Sequence, residues 1–548
     1  MYFDHHLSIN WNDDGAEMKA WIVVRYGGGH WARNIRSTDH YLRPGLTWPR
    51  RTNGLSFRIM PQGCIFADKG PAIFVANDAP DTLLALCALV NSKAFGMLVS
   101  VQLARVELAQ SFEVGLIQQT PVPVLSAEHQ ATLAALARRA WSLKRTLDTR
   151  EETSHAFLLP AALRHRLGDY DPPATEAELA RIQAEIDAIV FDLYGFSPAD
   201  RAAAQPSQGG ATQGEPAASA ADDDQEEEDQ AAPIDQSAGL LSWAVGVAFG
   251  RFDWRLATGE RAAPPEPEPF DPLPAKSPGM LPDGAAPFHA HAGILVDDPG
   301  HPQDLARLVE GVLETVFTAG WPETGEASAP SSRHPGASDP RSLLTDSRRR
   351  LQREFFPFHL QRYSKSRRKA PLYWPLSTAS GGYTLWLYYP SLTNQTLYTA
   401  VNDFVEPKLS QVGAEVTALR TQGTARTRDD EKRFEALQAL HLELSELRDT
   451  LLQLAPGYQP HHDDGVQISA APLWPLFRHK PWQKVLKDTW AKLEKGDYDW
   501  AHLAMAYWPV RVRRKCQTDK SLAIAHGLEH LYIEPEAQPK RVSSRKAI

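Results

Sequence analysis

Between residues 201 and 236 the chain changes character. Ala, Gln, Gly, Ser and Pro replace the apolar periodicity seen on either side, and all but one of the residues of DDDQEEED at 222–229 are acidic. Such a segment cannot bury enough apolar surface to offset chain entropy, so it reads as a disordered acidic linker, a solvating tether between folded parts. The chain is also too long for one ordinary core. The 548 residues are therefore expected to fold as several units, in line with the roughly two to four domains that such a length implies.

Residues 1–125 read as a mixed α/β domain. SFRIM (56–60) and WIVVRY (21–26) carry the β-branched and aromatic residues of half-buried strands, and GCIFADKGPAIFV (63–75) resembles two short strands around an Asp-Lys-Gly turn in which Gly70 supplies positive φ. Thr82 to Leu98 then turns helical. Residues 126–200 form a helical segment. Its first helix is capped by Ser126 and carries Leu133, Leu136, Ala137, Ala140, Leu143 and Leu147 at helical spacing; its second opens on a Thr175/Glu178 capping box and stops at Gly195. Asp171-Pro172-Pro173 before it reads as a stiff turn.

Beyond the linker, 237–404 reads as a second mixed α/β segment with Pro-rich loops. In 405–456, Leu409, Val412, Val416 and Leu419, then Leu437, Leu440, Leu444, Leu447, Leu451 and Leu454, alternate spacings of three and four around a polar interruption. That is the seam of an antiparallel, coiled-coil-like helical hairpin. The C-terminal segment, 457–548, reads as mostly helical with a basic tail; Trp482, Val485, Leu486, Trp490 and Leu493 line one helix face there. The fold class is α+β and multi-domain.

No apolar run approaches the ~20 residues of a spanning helix. The opening MYFDHHLSINW has acid and histidine where a signal peptide has a basic and then an apolar region. Three widely spaced cysteines, Cys64, Cys87 and Cys516, suit neither a disulfide framework nor a zinc cage. These features lead us to expect a cytoplasmic protein with buried free thiols and no membrane partner.

No catalytic motif is recognisable in the sequence. Transfer of a methyl group to an exocyclic amine calls for an Asp/Asn-Pro-Pro-aromatic motif, in which the ring stacks on a flipped base. Asp171-Pro172-Pro173-Ala174 has the prolines and lacks the ring. Gly27-Gly28-Gly29 precedes no clear helix, and no Walker A sequence is present. Asp403, Glu406 and Lys408 come nearest to a metal-nuclease set. His461-His462-Asp463-Asp464 and Asp297-Asp298 with His301 could hold an ion, but both read as loops. We therefore assign no catalytic, cofactor-binding or metal residue.

What the sequence does offer is binding surface. Arg25, Arg33, Arg36, Arg43, Arg50, Arg51 and Arg58 face a single acid, Asp39, with Tyr26, Trp31, Tyr41, Trp48 and Phe57 interleaved; Trp48 and Phe57 are the aromatics expected in the core. From 348 to 369, nine Arg or Lys stand against Glu354 alone and run through Tyr363, Lys365, Arg367, Arg368 and Lys369 into the aromatics of LYWPLS and LWLYY. Arg511, Arg513 and Arg514 repeat the pairing after Tyr507-Trp508. Guanidinium groups beside rings suit a phosphate backbone and base edges. The structural alternative is a solvated loop leading into a buried strand.

Several segments, in order, resemble one family. They are RPGLTWPRRTNGLSFRIMPQGCIFADKGPAIF (43–74), LLALCALVNSKAF (83–95), LSWAVGVAFGRFDWRL (241–256), GILVDDPGH (293–301), YSKSRRKAPLYWPLS (363–377), LWLYYPSLTNQTLY (385–398) and GDYDWAHLAMAYWPVRVRRKC (496–516). They look like the target-recognition half of large adenine-specific DNA methyltransferases, the type IIG restriction-modification enzymes and the PglX methylases of BREX phage-defence systems. In that family an N-terminal domain binds S-adenosylmethionine and carries the catalytic Asn-Pro-Pro-Tyr. The resemblance covers the C-terminal half alone, so no catalytic or cofactor residue carries over to this sequence. It implies mixed α/β target-recognition lobes that bind double-stranded DNA. Arg25–Arg58 would read base edges, 348–369 would clamp phosphate, and a separate catalytic subunit would supply S-adenosylmethionine and the chemistry. Two alternatives stand beside this reading: a protein-interaction scaffold in a phage-defence complex, and a truncated, inactive methyltransferase fragment.

Overall fold

The computed structural model describes residues 1–2, 8–52, 54–103, 111–168, 170–204, 236–319, 343–365, 368–497 and 502–534. Residues 205–235 of the expected linker lie outside that set; the helix Pro198–Ala203 takes up its first residues. Small antiparallel sheets sit among many helices, the expected α+β class. Contacts divide the chain into two compact units, one of Met1–Leu7, Ile35–Ala285 and Glu314–Leu343, the other of Ser8–Asn34, Ala286–Leu313 and Leu344–Ile548.

The first unit contains a sheet of order β2-β1-β3, with β1 at Gly45–Thr47, β2 at Arg58–Met60 and β3 at Ala72–Ile73. Leu46 pairs with both Ile59 and Ile73 and is fully buried. The helices Pro80–Val90, Lys93–Leu103, Ala127–Asp148 and Pro172–Leu193 share one core with this sheet, in which Trp48 and Phe57 lie as expected. Two polar side chains there are satisfied by backbone: Trp48 Nε1 donates to the Phe112 carbonyl at 2.9 Å, and Asn91 makes paired bonds to the backbone of Phe57 at 2.9 Å each. Helix Gln236–Ala248 is apolar all round and buried all round.

Local signals in this unit mostly hold. Ser126 caps Ala127–Asp148 by accepting from His129 N at 3.1 Å, and Gly195 follows Pro172–Leu193 with φ of 66°. The start of that helix differs from expectation. Its N-cap is Asp171, which accepts from Ala174 N at 3.1 Å, and Pro172 and Pro173 form its first turn. Proline lacks an N–H that the first turn would leave unbonded anyway, so Pro-Pro opens the helix instead of forming a separate turn. The Asp-Lys-Gly turn closes through Gly70 N to Ala67 O at 3.0 Å, but Gly70 is not among the residues of positive φ.

The second unit is built on a sheet of order β4-β8-β7, from β4 (Ile294–Asp297), β7 (Tyr373–Ser377) and β8 (Thr384–Tyr388). A separate ribbon pairs β5 (Ser364–Lys365) with β6 (Arg368–Lys369). Two long helices carry π turns, Leu351–Phe355 before Phe356–Arg362 and Ala400–Val405 before Glu406–Gln422. Each π turn ends two residues before a proline, Pro357 or Pro407. Proline can neither donate to the carbonyl four residues back nor sit easily against it, and the wider turn accommodates both defects. Helices Glu406–Gln422 and Arg428–Leu454 pack as a hairpin through Leu409, Val412, Val416 and Leu419 on one side and Leu444, Leu447 and Leu451 on the other. Thr427 and Asp430 form the capping box that restarts the chain after the turn.

The expected strand at 21–26 is instead helical. Helix Asn12–Arg25 contains WIVVR, buries Ile22, and packs against Lys520–Ala525 in the same unit. β-branched residues favour strands only where a sheet is available to pack them, and here the available partner is a helix.

No single helix among the described residues is long and apolar enough to cross a membrane. Pro80–Val90 and Lys93–Leu103 pass that test only as a pair bent by 60°, and their apolar residues belong to the first unit's core. Cys87 and Cys516 are buried free thiols, and Cys64 is partly buried.

Candidate nucleic-acid interface

The arginines of 25–58 do not share one unit. Arg25 and Arg33 lie in the second; Arg36, Arg43, Arg50 and Arg51 lie in the first. Arg43 grips Asp78 through Nε at 3.0 Å and Nη2 at 2.6 Å, also bonds the Val75 carbonyl, and stands over the Phe74 ring. The hydrogen bonds to Asp78 raise its pKa. This pair holds the left-handed turn at Asn77 and Asp78, whose φ angles are 57° and 50°. Arg50 lies between Asp68 at 2.9 Å and Glu113 at 3.3 Å. Both guanidinium groups thus have structural work. Arg36 and Arg51 are exposed, and Arg51 bridges Ser111 through its backbone. Arg25 is exposed at the end of its helix, flanked by Trp21 and Tyr26, which are themselves 44% and 61% exposed. Arg33, also exposed, ends the short turn Trp31–Arg33, whose Trp31 lies 4.5 Å from the Lys19 ammonium.

The basic-aromatic stretch separates into parts that do different things. Arg348 reaches into the second unit to pair with Asp297 and Asp304, and Gln352 donates to Asp297 at 2.6 Å. Burial pulls the Arg348 pKa down, but Asp304 and Asp297 outweigh it and the net shift is up. Lys408 closes on Asp298 at 2.6 Å. Asp297 and Asp298 thus hold cations of the chain itself. His301 accepts from Gln303 N at 3.0 Å and stacks on Phe404; burial, partly opposed by Asp298 and Asp304, lowers its pKa. No cluster among the described residues fits a metal ion. A shallow cleft of about 290 Å³ beside this network is lined by Glu310, Asp346, Ser347, Arg348, Arg349 and Gln352, and its two acids offset its two arginines.

The aromatics that follow are core. Tyr373, Trp374 and Trp386 are no more than 3% exposed, so the expectation of rings offered to bases fails for them. Alternation along an antiparallel pair has placed both faces of β7 and β8 against packed layers. Tyr363 rests on the buried His359 at 4.4 Å, and His359 Nε2 accepts from Leu372 N at 2.8 Å. Lys365 and Arg368 are cross-strand partners in the β5–β6 ribbon; Arg367 lies outside the described residues. Lys369 is half-buried near His479, whose pKa falls through burial and then through the Lys369 charge.

At the C-terminal end the structure joins what the sequence keeps far apart. Helices His502–Tyr507, Pro509–Cys516 and Lys520–Ala525 pack together around Val512, Cys516, Leu522 and Ala523. Because Asn12–Arg25 also packs on Lys520–Ala525, the Arg25 and Arg33 segment and the Arg511–Arg514 helix belong to one helical cluster. Arg511 donates to the carbonyls of Leu493 at 2.7 Å and Glu494 at 2.8 Å, closing the end of helix Lys480–Lys495, and stacks on Trp508 at 4.2 Å. Arg513 and Arg514 are exposed and make no ion pair among the described residues. Only the apolar spacing of Val512, Cys516 and Leu522 hinted in the sequence at this packing.

The other histidine-acid cluster is structural too. His462 bonds the Tyr389 carbonyl at 3.0 Å, and the Tyr389 hydroxyl donates back to the His462 carbonyl at 2.8 Å.

No protein-family model matches this sequence. The chain is similar to the adenine-specific methyltransferase BrxX of Escherichia coli O9:H4 (strain HS), 23% identical over 453 residues. The match covers 76% of this chain and 33% of that protein, so the chain spans about a third of the length of the curated relative it matches. It is distantly related to an adenine-specific methyltransferase.

Proposed function

We propose that this chain is a DNA-engaging, specificity-conferring part of an adenine-specific methyltransferase of a restriction-modification or BREX-type system. It holds double-stranded DNA while methyl transfer takes place on a catalytic domain outside these residues. The observation that carries this reading is the BrxX similarity, which extends along three quarters of the chain although these residues contain no Asp/Asn-Pro-Pro-aromatic motif. Exposed arginines without acid partners, Arg25, Arg513 and Arg514, add to it. S-adenosylmethionine has no matching loop here and belongs with the catalytic partner.

The test is fluorescence anisotropy of a labelled duplex against the purified chain over a range of salt concentrations. Binding whose logarithm falls linearly with the logarithm of salt is expected. No binding at low salt, or binding indifferent to salt, overturns the proposal. Leu442 and Leu452, 67% and 41% exposed on the hairpin, favour a second role as a protein-docking arm. That role predicts partner capture that survives loss of the arginines.

A further inference from the structure

Helix Pro509–Cys516 carries three arginines and a lysine in its 8 residues, and its surroundings sort them. Val512 and Cys516 face inward against Leu522 and Ala523. Arg511 is turned aside to the carbonyls of Leu493 and Glu494. The residues left outward are Val510, which is 71% exposed, with Arg513, Arg514 and Gln517. Gln517 keeps helical φ and ψ of −65° and −24°, so it continues the same spiral. At 3.6 residues per turn these four positions fall within an arc of about 100°, opposite Val512 and Cys516.

The stripe differs from the other arginine sites in being unengaged. Arg43, Arg50 and Arg348 each face a carboxylate, whereas Arg513 and Arg514 face none among the described residues. The next acid along the chain, Asp519, caps Lys520–Ala525 by accepting from Leu522 N at 3.0 Å. The helix is also held firmly. Trp508 at its start is clamped between Arg511 and Trp490, and helices precede and follow it closely. A rigid helix, about 10–12 Å across with its side chains, fits a major groove about 12 Å wide. Two arginines, a glutamine and a small apolar side chain are the set that reads it: Arg on guanine O6 and N7, Gln on adenine N6 and N7, an apolar contact on the thymine methyl.

We propose that Val510, Arg513, Arg514 and Gln517 form a base-reading face that enters the major groove of duplex DNA. This rests on the DNA-engaging reading above and adds to it where sequence is read. The experiment is selection of bound duplexes from a pool with a random core, using the full chain and the exposed single variants Arg513→Ala, Arg514→Ala and Gln517→Ala. Thermal unfolding serves as the control for folding. The wild-type chain should enrich a defined motif, and each variant should relax it by about tenfold at one or two positions while leaving the others intact. Enrichment of the same motif by all three variants overturns the base-reading face. So does wild-type binding with no sequence preference, which leaves these arginines as phosphate contacts and the DNA reading standing. A wild-type chain that binds no duplex at all overturns both.

Discussion

Replacing Arg348 by Met tests whether the start of the basic stretch is a phosphate clamp or an internal latch. The guanidinium bridges Asp297 and Asp304, which are 9% and 2% exposed, while Arg348 itself is 31% exposed. After the substitution Asp297 keeps the Gln352 amide at 2.6 Å. Asp304 Oδ2 loses its hydrogen-bond donor, and Asp304 Oδ1 already lacks one. Breaking a fully buried pair costs about 3–5 kcal/mol. Water at the exposed third of Arg348 and the surviving Gln352 bond reduce this to about 2–3 kcal/mol. For a unit of this size that lowers Tm by about 5–10 °C. Unfolding followed by tryptophan fluorescence reads it directly, since Trp374 and Trp386 lie in the neighbouring sheet. Adding Asp304→Asn should recover about half of the loss, because the buried charge is then gone. The salt dependence of DNA binding should not change. A destabilisation below about 1 kcal/mol together with a shallower salt slope would refute the latch and restore the clamp.

Three other perturbations have expected outcomes. Arg511→Ala removes the two carbonyl bonds and the Trp508 stack, and should destabilise the second unit by about 1–2 kcal/mol in a urea titration; Arg511→Lys should recover part of that. Asp253 is buried and pairs with Arg255 at 2.8 Å and Arg261 at 2.9 Å; burial pushes its pKa up but the arginines outweigh it, so the net shift is down. Its stabilisation is therefore present above the ordinary carboxylate pKa and lost as pH falls through the depressed folded value, and Asp253→Asn should flatten the acid limb of the stability curve. Burial pushes the Tyr389 hydroxyl up to about 12, so stability is full below pH 10 and lost as pH rises through about 12. Ultraviolet titration should show one fewer late-ionising phenol in Tyr389→Phe.

Elements whose causes are local were legible in the sequence. The leucines at 444, 447 and 451 announce a hairpin seam because helix geometry alone puts them on one face. Ser126 announces a cap because its hydroxyl needs only the next turn, and Trp48 and Phe57 are core because large rings amid short strands have nowhere else to go. Long-range causes were hidden. WIVVR is helical because Lys520–Ala525, some five hundred residues away, supplies its packing partner. Nothing near Arg348 in sequence says that Asp297 and Asp304 neutralise it. The same holds for Arg511, whose carbonyl partners belong to Lys480–Lys495, a helix beyond the one that precedes it. Runs of basic residues reveal where charge is concentrated, but the distant acids and carbonyls that engage it decide which part of it faces solvent.

That sorting sets a number for DNA binding. The sequence offers thirteen cations as DNA contacts: Arg25, Arg33, Arg36, Arg43, Arg50, Arg51, Lys365, Arg367, Arg368, Lys369, Arg511, Arg513 and Arg514. If each neutralised one phosphate, counterion release would give a log–log salt slope of about −12. Arg43, Arg50 and Arg511 are held by internal carboxylates or carbonyls, and Arg33, Arg36 and Arg51 have partners within the chain as well. Of the described side chains Arg25, Lys369, Arg513 and Arg514 remain; with Lys365, Arg367 and Arg368, whose side chains lie outside the described residues, the contacts number at most seven and the slope is no steeper than about −6. Arg513→Ala with Arg514→Ala should make that slope shallower by about 2, and Arg43→Ala should not move it. A slope near −12 that Arg43→Ala does reduce would mean that DNA draws Arg43 away from Asp78 on binding. The pairs described here would then be resting partners that the phosphate backbone displaces, and the division between structural and DNA-facing arginines would fail.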